Sequence, residues 1–188
     1  MLSVVIPTWS GTDELARMAY KLCEQVRPMC DVLIVSEDGE YYAPLKKIAD
    51  VYLMHPRLGH AKNLKLGFQY AAGVEKCWVA LIDSGIIIEK GDLRDLCIPN
   101  TIVYPEWNEE SWKQYTPPQK YREPIAWFLV APYEIIASFP PHPSAAYGLG
   151  EGLDEWGEEL VKRFPILWSD KLTYSHQALT SYGVILKK

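Results

Sequence analysis

Apolar residues in the first half of the chain alternate between unbroken runs and helical spacing. The unbroken runs, which are typical of buried strands, are residues 2–7, 32–35, 51–54 and 78–82. The segments with apolar positions every three or four residues, which are typical of amphipathic helices, are residues 12–26, 43–49 and 58–72. Strands that are apolar on both faces and alternate with helices indicate a covered parallel sheet. The pattern therefore predicts an α/β, Rossmann-like fold with a mostly parallel central sheet and helices on both faces.

The first helix carries clear signals at both ends. Thr12 suits the N-cap position, and Asp13 and Glu14 would stabilise the positive end of the helix dipole in its first turn. Pro28 is incompatible with a continuing helix, so we expect the helix to end near Val26.

The second half of the chain is less regular and predicts a smaller α+β subregion. Its expected strands are residues 100–104, 125–130 and 171–176, its helices 132–138 and 153–164, and its loops 106–124 and 139–152. No linker separates the two parts. We therefore interpret residues 1–98 as a nucleotide-binding half and residues 99–188 as an acceptor-side half of a single compact domain.

Composition narrows the classes of function. A net charge of −5 and a pI of about 5.4 argue against nucleic-acid binding. The four cysteines contain no CxxC pair, which favours free buried thiols over a zinc site. The opening apolar run stops at Pro7, too early for a signal peptide or a membrane span, so we expect a cytoplasmic protein.

Polar residues follow three of the predicted strands, at residues 7–10, 37–39 and 83–85. Open α/β sheets bind ligands beyond the carboxyl ends of their strands. A single aspartate there would be read as an ordinary turn or cap residue. Asp38 and Asp83 follow two different strands of one predicted sheet, which favours a binding site.

Five ordered segments resemble the GT-A glycosyltransferases, specifically the large family 2 type. They are residues 3–10 (SVVIPTWS), 37–40 (EDGE), 59–73 (GHAKNLKLGFQYAAG), 81–84 (LIDS) and 152–159 (GLDEWGEE). The resemblance implies transfer of a sugar from a nucleoside-diphosphate sugar to a hydroxyl of a glycan, protein or lipid acceptor. It implies that Asp38, with Pro7 and Thr8, holds the nucleoside. Lys62 would face the diphosphate, although a solvated helix lysine is an equally good interpretation.

The resemblance also implies a divalent cation, Mn²⁺ or Mg²⁺, bound to a DxD motif. Here the motif reads Asp83-Ser84-Gly85, so Gly85 replaces the second carboxylate. Asp83 together with diphosphate oxygens would hold the cation, and Glu89 is a substitute ligand only if the chain bends back. His176 stands where related enzymes place a histidine near the metal, although a lone histidine is more often structural.

A base that takes the proton of the acceptor hydroxyl is the remaining requirement of a direct, inverting displacement. The resemblance assigns it to the acidic segment after Gly152, and we rank Glu159 first, then Glu158 and Asp154. The same acids would also stabilise the start of their own helix.

Two other functions remain open from the sequence. A nucleotidyltransferase has a similar sheet and metal, but usually a basic glycine-rich loop after the first strand, and residues 9–12 contain no lysine or arginine. A non-catalytic module that binds nucleotide sugars would account for the missing carboxylate at Gly85.

Overall fold

In a computed structural model, the chain is described over residues 1–9, 11–38, 41–55, 60–71, 77–108, 128–138 and 159–176. The strands in these residues are β1 (Leu2–Thr8), β2 (Val32–Asp38), β3 (Val51–His55), β4 (Trp78–Ile82), β5 (Ile86–Lys90), β6 (Ile102–Trp107), β7 (Phe128–Pro132) and β8 (Ile166–His176). The helices are α1 (Asp13–Val26), α2 (Ala43–Ile48), α3 (His60–Ala71) and α4 (Tyr133–Ser138), with 3₁₀ turns at Arg27–Met29 and Leu93–Leu96. Residues 159–163 are also helical.

The strands form one sheet in the order β3-β2-β1-β4-β7-β6-β8-β5. Pairing is parallel between β1 and β2, β1 and β4, β2 and β3, and β6 and β8, but antiparallel for β4 with β7, β6 with β7, and β5 with β8. The α/β fold with helices on both faces is confirmed, but the expected mostly parallel sheet is wrong, because the sheet is mixed. A continuous apolar run indicates that a strand is buried on both faces. It does not indicate whether the strand runs parallel or antiparallel to its neighbours.

Most elements of the first half are confirmed within a few residues. Thr12 caps α1 by accepting a hydrogen bond at Oγ1 from the amide of Leu15, 3.3 Å away. The main difference is that β2 continues through Asp38, so three residues expected to follow the strand lie inside it. β5 was not predicted, and β8 begins at Ile166 rather than at residue 171, because short or polar segments give no clear periodicity.

Two apolar clusters cover the two faces of the sheet. One face packs against α1 and α2 through residues such as Leu22, Val26 and Leu45. The other packs against α3, α4 and residues 159–163 through Leu64, Phe68, Ile136 and Leu160. We call these the α1 face and the α3 face.

The far end of the sheet folds over onto the α1 face. β4 and β5 are four places apart in the sheet, ~19 Å if it were flat. Only the residues Asp83, Ser84 and Gly85 join the two strands. The four Cα–Cα distances from Ile82 to Ile86 together span at most ~14 Å. The sheet must therefore curve. The register of β6 with β8 accordingly jumps between Pro105 and Glu106, where β8 carries three extra residues.

Two contacts hold this folded part in place. The side chain of Gln25 in α1 exchanges two hydrogen bonds with the backbone of Ile88 in β5, at 3.1 and 3.2 Å. Gly91 has a φ of 101°, and a Cβ there would lie 2.2 Å from the carbonyl oxygen of Lys171. Glycine is required at this position because both the backbone conformation and the close approach of β8 exclude a side chain.

Candidate functional site

The carboxyl ends of β1, β2 and β4 meet at one edge of the sheet, which we call the carboxyl edge. β1 lies between the other two and is parallel to both. Pro7 pairs with Ser36, and extending the register of Val5 with Leu81 by two residues places Asp83 level with Pro7. The backbones of β2 and β4 are ~10 Å apart, enough to hold two parts of one extended ligand.

Residues on the α3 face of this edge include most of the predicted nucleoside-binding set. Val5 and Ile34 belong to the apolar cluster under α3. Because side chains alternate along a strand, Pro7 and Asp38 share that face. Asp38 is half-buried, and Pro7 is buried. Lys62 lies in the first turn of α3, over the same face, but its side chain is outside the described part of the structure.

The side chain of Thr8 faces the α1 side of the sheet, unlike those of Pro7 and Asp38. Its hydroxyl donates a hydrogen bond of 2.6 Å to Oε2 of Glu37, and both residues are buried. A buried carboxylate is costly unless hydrogen bonds compensate it. The Thr8–Glu37 pair therefore joins the ends of β1 and β2, and the hydroxyl is directed at Glu37 rather than at the α3 face.

Asn63 ties α3 to both strands and was not among the predicted site residues. Its Nδ2 donates to the carbonyl oxygens of Ser36 (2.7 Å) and Thr8 (3.3 Å). The hydroxyl of Ser36 donates in return to the backbone carbonyl of Asn63, 2.9 Å away. Asn63 is 1% exposed. The sequence did contain a signal for this role. An asparagine on the inner face of the helix predicted after Gly59 needs buried hydrogen-bond partners.

Gly67 permits the close approach of α3 to the sheet. A Cβ at this position would lie 2.4 Å from Cγ1 of Val5 in β1, a distance that real side chains do not adopt. Gly67 and Asn63 lie one turn apart on the same face of α3. Together they hold the first turns of α3, including Lys62, against the carboxyl edge.

Asp83 lies in the tight turn where β4 passes into the folded part of the sheet. Its Oδ1 accepts a hydrogen bond from the amide of Gly85 at 2.8 Å, and its carbonyl accepts one from Ile86 at 3.1 Å. Ile86 is paired with His176, so the backbone of His176 runs beside this turn. The side chain of His176 is outside the described part of the structure.

A divalent cation held by protein alone needs several ligand side chains around one point. The described residues contain no group of three or more histidine, cysteine, aspartate or glutamate side chains arranged in this way. Asp83 supplies the hard carboxylate oxygen that Mn²⁺ or Mg²⁺ prefers, and such ions keep water and phosphate ligands when protein ligands are few. The donor set therefore fits a cation held mainly by a bound diphosphate and fits poorly with a cation held by protein alone.

Glu159 is the one candidate base inside the described residues, and it is paired with cations. Its carboxylate lies 2.8 Å from Nζ of Lys162 and 3.8 Å from Arg163. The hydrogen bond from Lys162 lowers the pKa of Glu159 below its ordinary value. Asp154 and Glu158 lie outside the described residues.

The cysteines are free thiols, as predicted. Burial raises the pKa of Cys23 to about 12 and that of the half-buried Cys97 to about 11. These thiols are therefore protonated at neutral pH and are not part of the site. None of the helices in the described ranges has the length and apolar character needed to cross a bilayer.

Comparison with known proteins rests on structure. No protein-family model and no curated protein sequence matches the chain. Glucosyl-3-phosphoglycerate synthase from Mycobacterium tuberculosis, solved with Mn²⁺, UDP and glucosyl-3-phosphoglycerate, is similar with a TM-score of 0.63 and 14% identity, over 97% of this chain and 75% of that one. GalNAc-T7, solved with UDP, GalNAc and Mn²⁺, gives a TM-score of 0.61 and 12% identity, over 94% and 43% of the two chains. The chain has the GT-A fold.

The GT-A fold does not by itself separate transferases from nucleotidyltransferases. A putative glucose-1-phosphate thymidylyltransferase from Bacillus anthracis, solved with sucrose, gives a TM-score of 0.57 and 12% identity, over 98% of this chain and 95% of that one. Identities this low show the fold alone, and the activity has to be argued from the site.

Proposed function

We propose that this GT-A chain is a glycosyltransferase that moves a sugar from a nucleoside-diphosphate sugar to an acceptor hydroxyl. The observation that carries the proposal is the arrangement of Asp38 and Asp83 at the same edge of the sheet, on parallel strands separated by β1. One carboxylate is then available to the nucleoside and the other to the diphosphate, ~10 Å away. Solved GT-A structures that contain UDP with Mn²⁺ support this assignment.

The nucleoside is held on the α3 face of β1 and β2 in this proposal. Asp38 accepts hydrogen bonds from the base or ribose, and Pro7 forms the apolar floor between the two strands. Thr8 acts through its bond to Glu37, which keeps the ends of β1 and β2 in register. Lys62, carried by the helix that Asn63 anchors, balances the charge of the diphosphate.

Asp83 and His176 hold the divalent cation in this proposal, together with the diphosphate. The turn bond from Gly85 orients the Asp83 carboxylate, and pairing of β8 with β5 brings the His176 backbone beside that turn. A bound Mn²⁺ or Mg²⁺ would stabilise the negative charge that develops on the leaving nucleoside diphosphate.

The base is one of Asp154, Glu158 and Glu159 in this proposal. It takes the proton from the acceptor hydroxyl as that oxygen attacks the anomeric carbon from the side opposite the leaving diphosphate, so the product is inverted. Two observations make Glu159 the least favoured of the three. Its carboxylate is bonded to Lys162, and it lies toward the amino edge of the sheet.

The place of Glu159 follows from the strands around it. Residues 159–163 lead into Ile166, which pairs with Ile102 at the start of β6. β6 runs in the same direction as β4, because both are antiparallel to β7, so Ile166 lies at the opposite, amino edge. Five helical residues rise only ~8 Å, whereas the strands extend ~20 Å toward the carboxyl edge. If the helix begins at residue 153 as the sequence predicts, Asp154 and Glu158 lie nearer the carboxyl edge than Glu159.

A nucleotidyltransferase is the second candidate, favoured by the likeness to the thymidylyltransferase over nearly all of both chains. That reaction joins a nucleoside triphosphate to a sugar phosphate and releases pyrophosphate. Trp9, Gly11 and Thr12 after β1 offer no cationic side chain for a triphosphate. The glycosyltransferase therefore remains the preferred function.

Incubation of the protein with UDP-, GDP- and dTDP-sugars in Mn²⁺ or Mg²⁺, with and without a mixture of hydroxyl acceptors, tests the proposal. We expect release of a nucleoside diphosphate that depends on the cation and is abolished by EDTA. Release of pyrophosphate from a nucleoside triphosphate plus a sugar 1-phosphate would instead establish the nucleotidyltransferase. Nucleotide-sugar binding without any turnover by the wild-type protein, under conditions in which a control transferase is active, would identify a non-catalytic module.

A further inference from the structure

His55 carries a buried nitrogen that no described residue binds. It is the last residue of β3, and its Nε2 is shielded from solvent without a hydrogen-bond partner among the described residues. Buried polar atoms in native proteins are nearly always paired, so an unpaired one needs a physical explanation. A ligand contact is a candidate for His55 because, unlike the unpaired atoms of Ser3, Trp78 and Tyr104, it lies beside the carboxyl end of β2.

The position of His55 connects it with the nucleoside site. His55 is directly opposite Asp38 in the parallel register of β2 with β3. Val51 and Leu53 pack under α3, so alternation places His55 on the α3 face as well, beside Asp38. Met54, between Leu53 and His55, is on the other face and is 54% exposed.

We propose that His55 binds the nucleotide base through Nε2 and, together with Asp38, selects bases that present a carbonyl oxygen next to a ring N–H. This inference rests on the proposed nucleoside site and adds a specificity-determining residue to it. Residue 55 lies outside the five segments that resemble family 2.

The selection follows from the hydrogen-bonding capacity of the two side chains. An aspartate carboxylate accepts hydrogen bonds, whereas a histidine Nε2–H group donates one. Uracil, thymine and guanine offer a ring N–H to the carboxylate and an adjacent carbonyl oxygen to the imidazole. Cytosine and adenine, held in the same position, place a donor amino group against the His55 donor and a ring nitrogen lone pair against the Asp38 carboxylate, so both hydrogen bonds are lost. A site built to pair such groups rejects the mismatched base strongly, because its own polar atoms are then left unpaired.

Binding of UDP, GDP, CDP and ADP, each measured by calorimetry with Mn²⁺, tests the inference. For the wild-type protein we expect UDP or GDP to bind at least about tenfold more tightly than CDP and ADP. His55→Phe keeps an aromatic ring but removes the donor, so it should lose about tenfold in affinity for the preferred diphosphate and almost none for CDP and ADP. His55→Gln, which can still donate, should retain part of the discrimination. Met54→Ala, next in sequence but on the opposite face, should bind all four as the wild type does.

Thermal unfolding without nucleotide separates this role from a purely structural one. A histidine that only stabilises the fold would lower Tm when replaced, whereas removal of an unpaired buried nitrogen should leave Tm unchanged or raise it. A wild-type protein that binds none of the four diphosphates would overturn the proposed function and this inference together. Tight binding with unchanged discrimination in folded His55→Phe, or a preference for CDP or ADP, would overturn the inference alone and leave the nucleotide site intact.

Discussion

The hydroxyl of Thr8 donates a 2.6 Å hydrogen bond to Oε2 of Glu37 at adjacent strand ends, and neither side chain is more than 3% exposed. We expect Thr8→Val to destabilise the protein by about 1–3 kcal/mol, because the buried carboxylate loses a donor that water cannot replace. Chemical denaturation measures this loss. Thr101→Val, which removes an exposed hydroxyl bonded to the Pro99 carbonyl, is the matched control and should cost about 0.5 kcal/mol or less.

A double-mutant cycle with Glu37→Met isolates the coupling within this pair. Glu37→Met removes the carboxylate that accepts the Thr8 hydrogen bond. The double mutant should therefore lose about 0.5–3 kcal/mol less unfolding free energy than the two single mutants lose in sum. Strict additivity would show that the two side chains do not depend on each other.

Gly67→Ala should destabilise the protein although alanine is the better helix former. The propensity gain is ~1 kcal/mol, but the new Cβ overlaps Cγ1 of Val5, and overpacking of this kind costs about 1–3 kcal/mol or more. Denaturant unfolding should show a net loss, and Val5→Ala in the same chain should relieve part of it. Tyr70→Ala, in the same helix but 57% exposed, should change stability little. A stabilised Gly67→Ala variant would mean that α3 lies farther from β1 than described.

Asp83→Ala should reduce sugar transfer by roughly 100-fold or more, since the stabilisation that a metal ion provides to a leaving group is worth several kcal/mol. The apparent affinity for Mn²⁺, measured from the dependence of turnover on its concentration, should fall at the same time. Asp92→Ala, at the cap of the Leu93–Leu96 turn, is a control carboxylate away from the carboxyl edge. Wild-type turnover in the Asp83→Ala variant would remove Asp83 from the site.

The proposed base is tested by pH profiles of the acidic segment. Replacement of the true base by its amide should lower kcat about 10²- to 10⁴-fold, and Asp154→Asn, Glu158→Gln and Glu159→Gln identify which residue it is. Lys162 lowers the pKa of Glu159, so Lys162→Met should raise it. If Glu159 is the base, the acidic limb of kcat/KM then moves to higher pH. An unchanged limb together with a large effect of Glu158→Gln or Asp154→Asn would assign the base to those residues.

Thiol labelling reports the burial of the cysteines and the direction of a pH effect on stability. With the pKa of Cys23 raised from 9.0 to about 12, its thiolate fraction at pH 8 is about a thousandfold smaller than in the unfolded chain. A disulfide reagent should therefore modify Cys97 before Cys23, and Cys97→Ser should remove the fast phase. Because the folded protein binds the Cys23 proton more tightly than the unfolded one, this contribution to stability is complete below pH 9 and is lost as the pH rises toward 12. Rapid labelling of Cys23 in the native protein would contradict its buried position on the inner face of α1.

The sequence by itself determined the elements from β1 to β4 and the carboxylates at the ends of β2 and β4. Unbroken apolar runs such as residues 78–82 and helical spacing such as that after Thr12 depend on local periodicity, which any folded context preserves. The resemblance to GT-A glycosyltransferases rested on those strand ends together with residues 59–73 and 152–159, and the fold confirms it at the level of the GT-A architecture.

Only the tertiary structure decided the strand directions, the bend of the sheet and the partners of buried polar groups. β5 is antiparallel to β8, and β7 is antiparallel to both β4 and β6, yet an apolar run such as that of β7 does not encode direction. The bonds of Asn63 and Glu37 join residues more than 25 positions apart, so no local pattern reveals them. The burial of the His55 nitrogen, which has no partner among the described residues, likewise depends on neighbours that the chain brings together only when it folds.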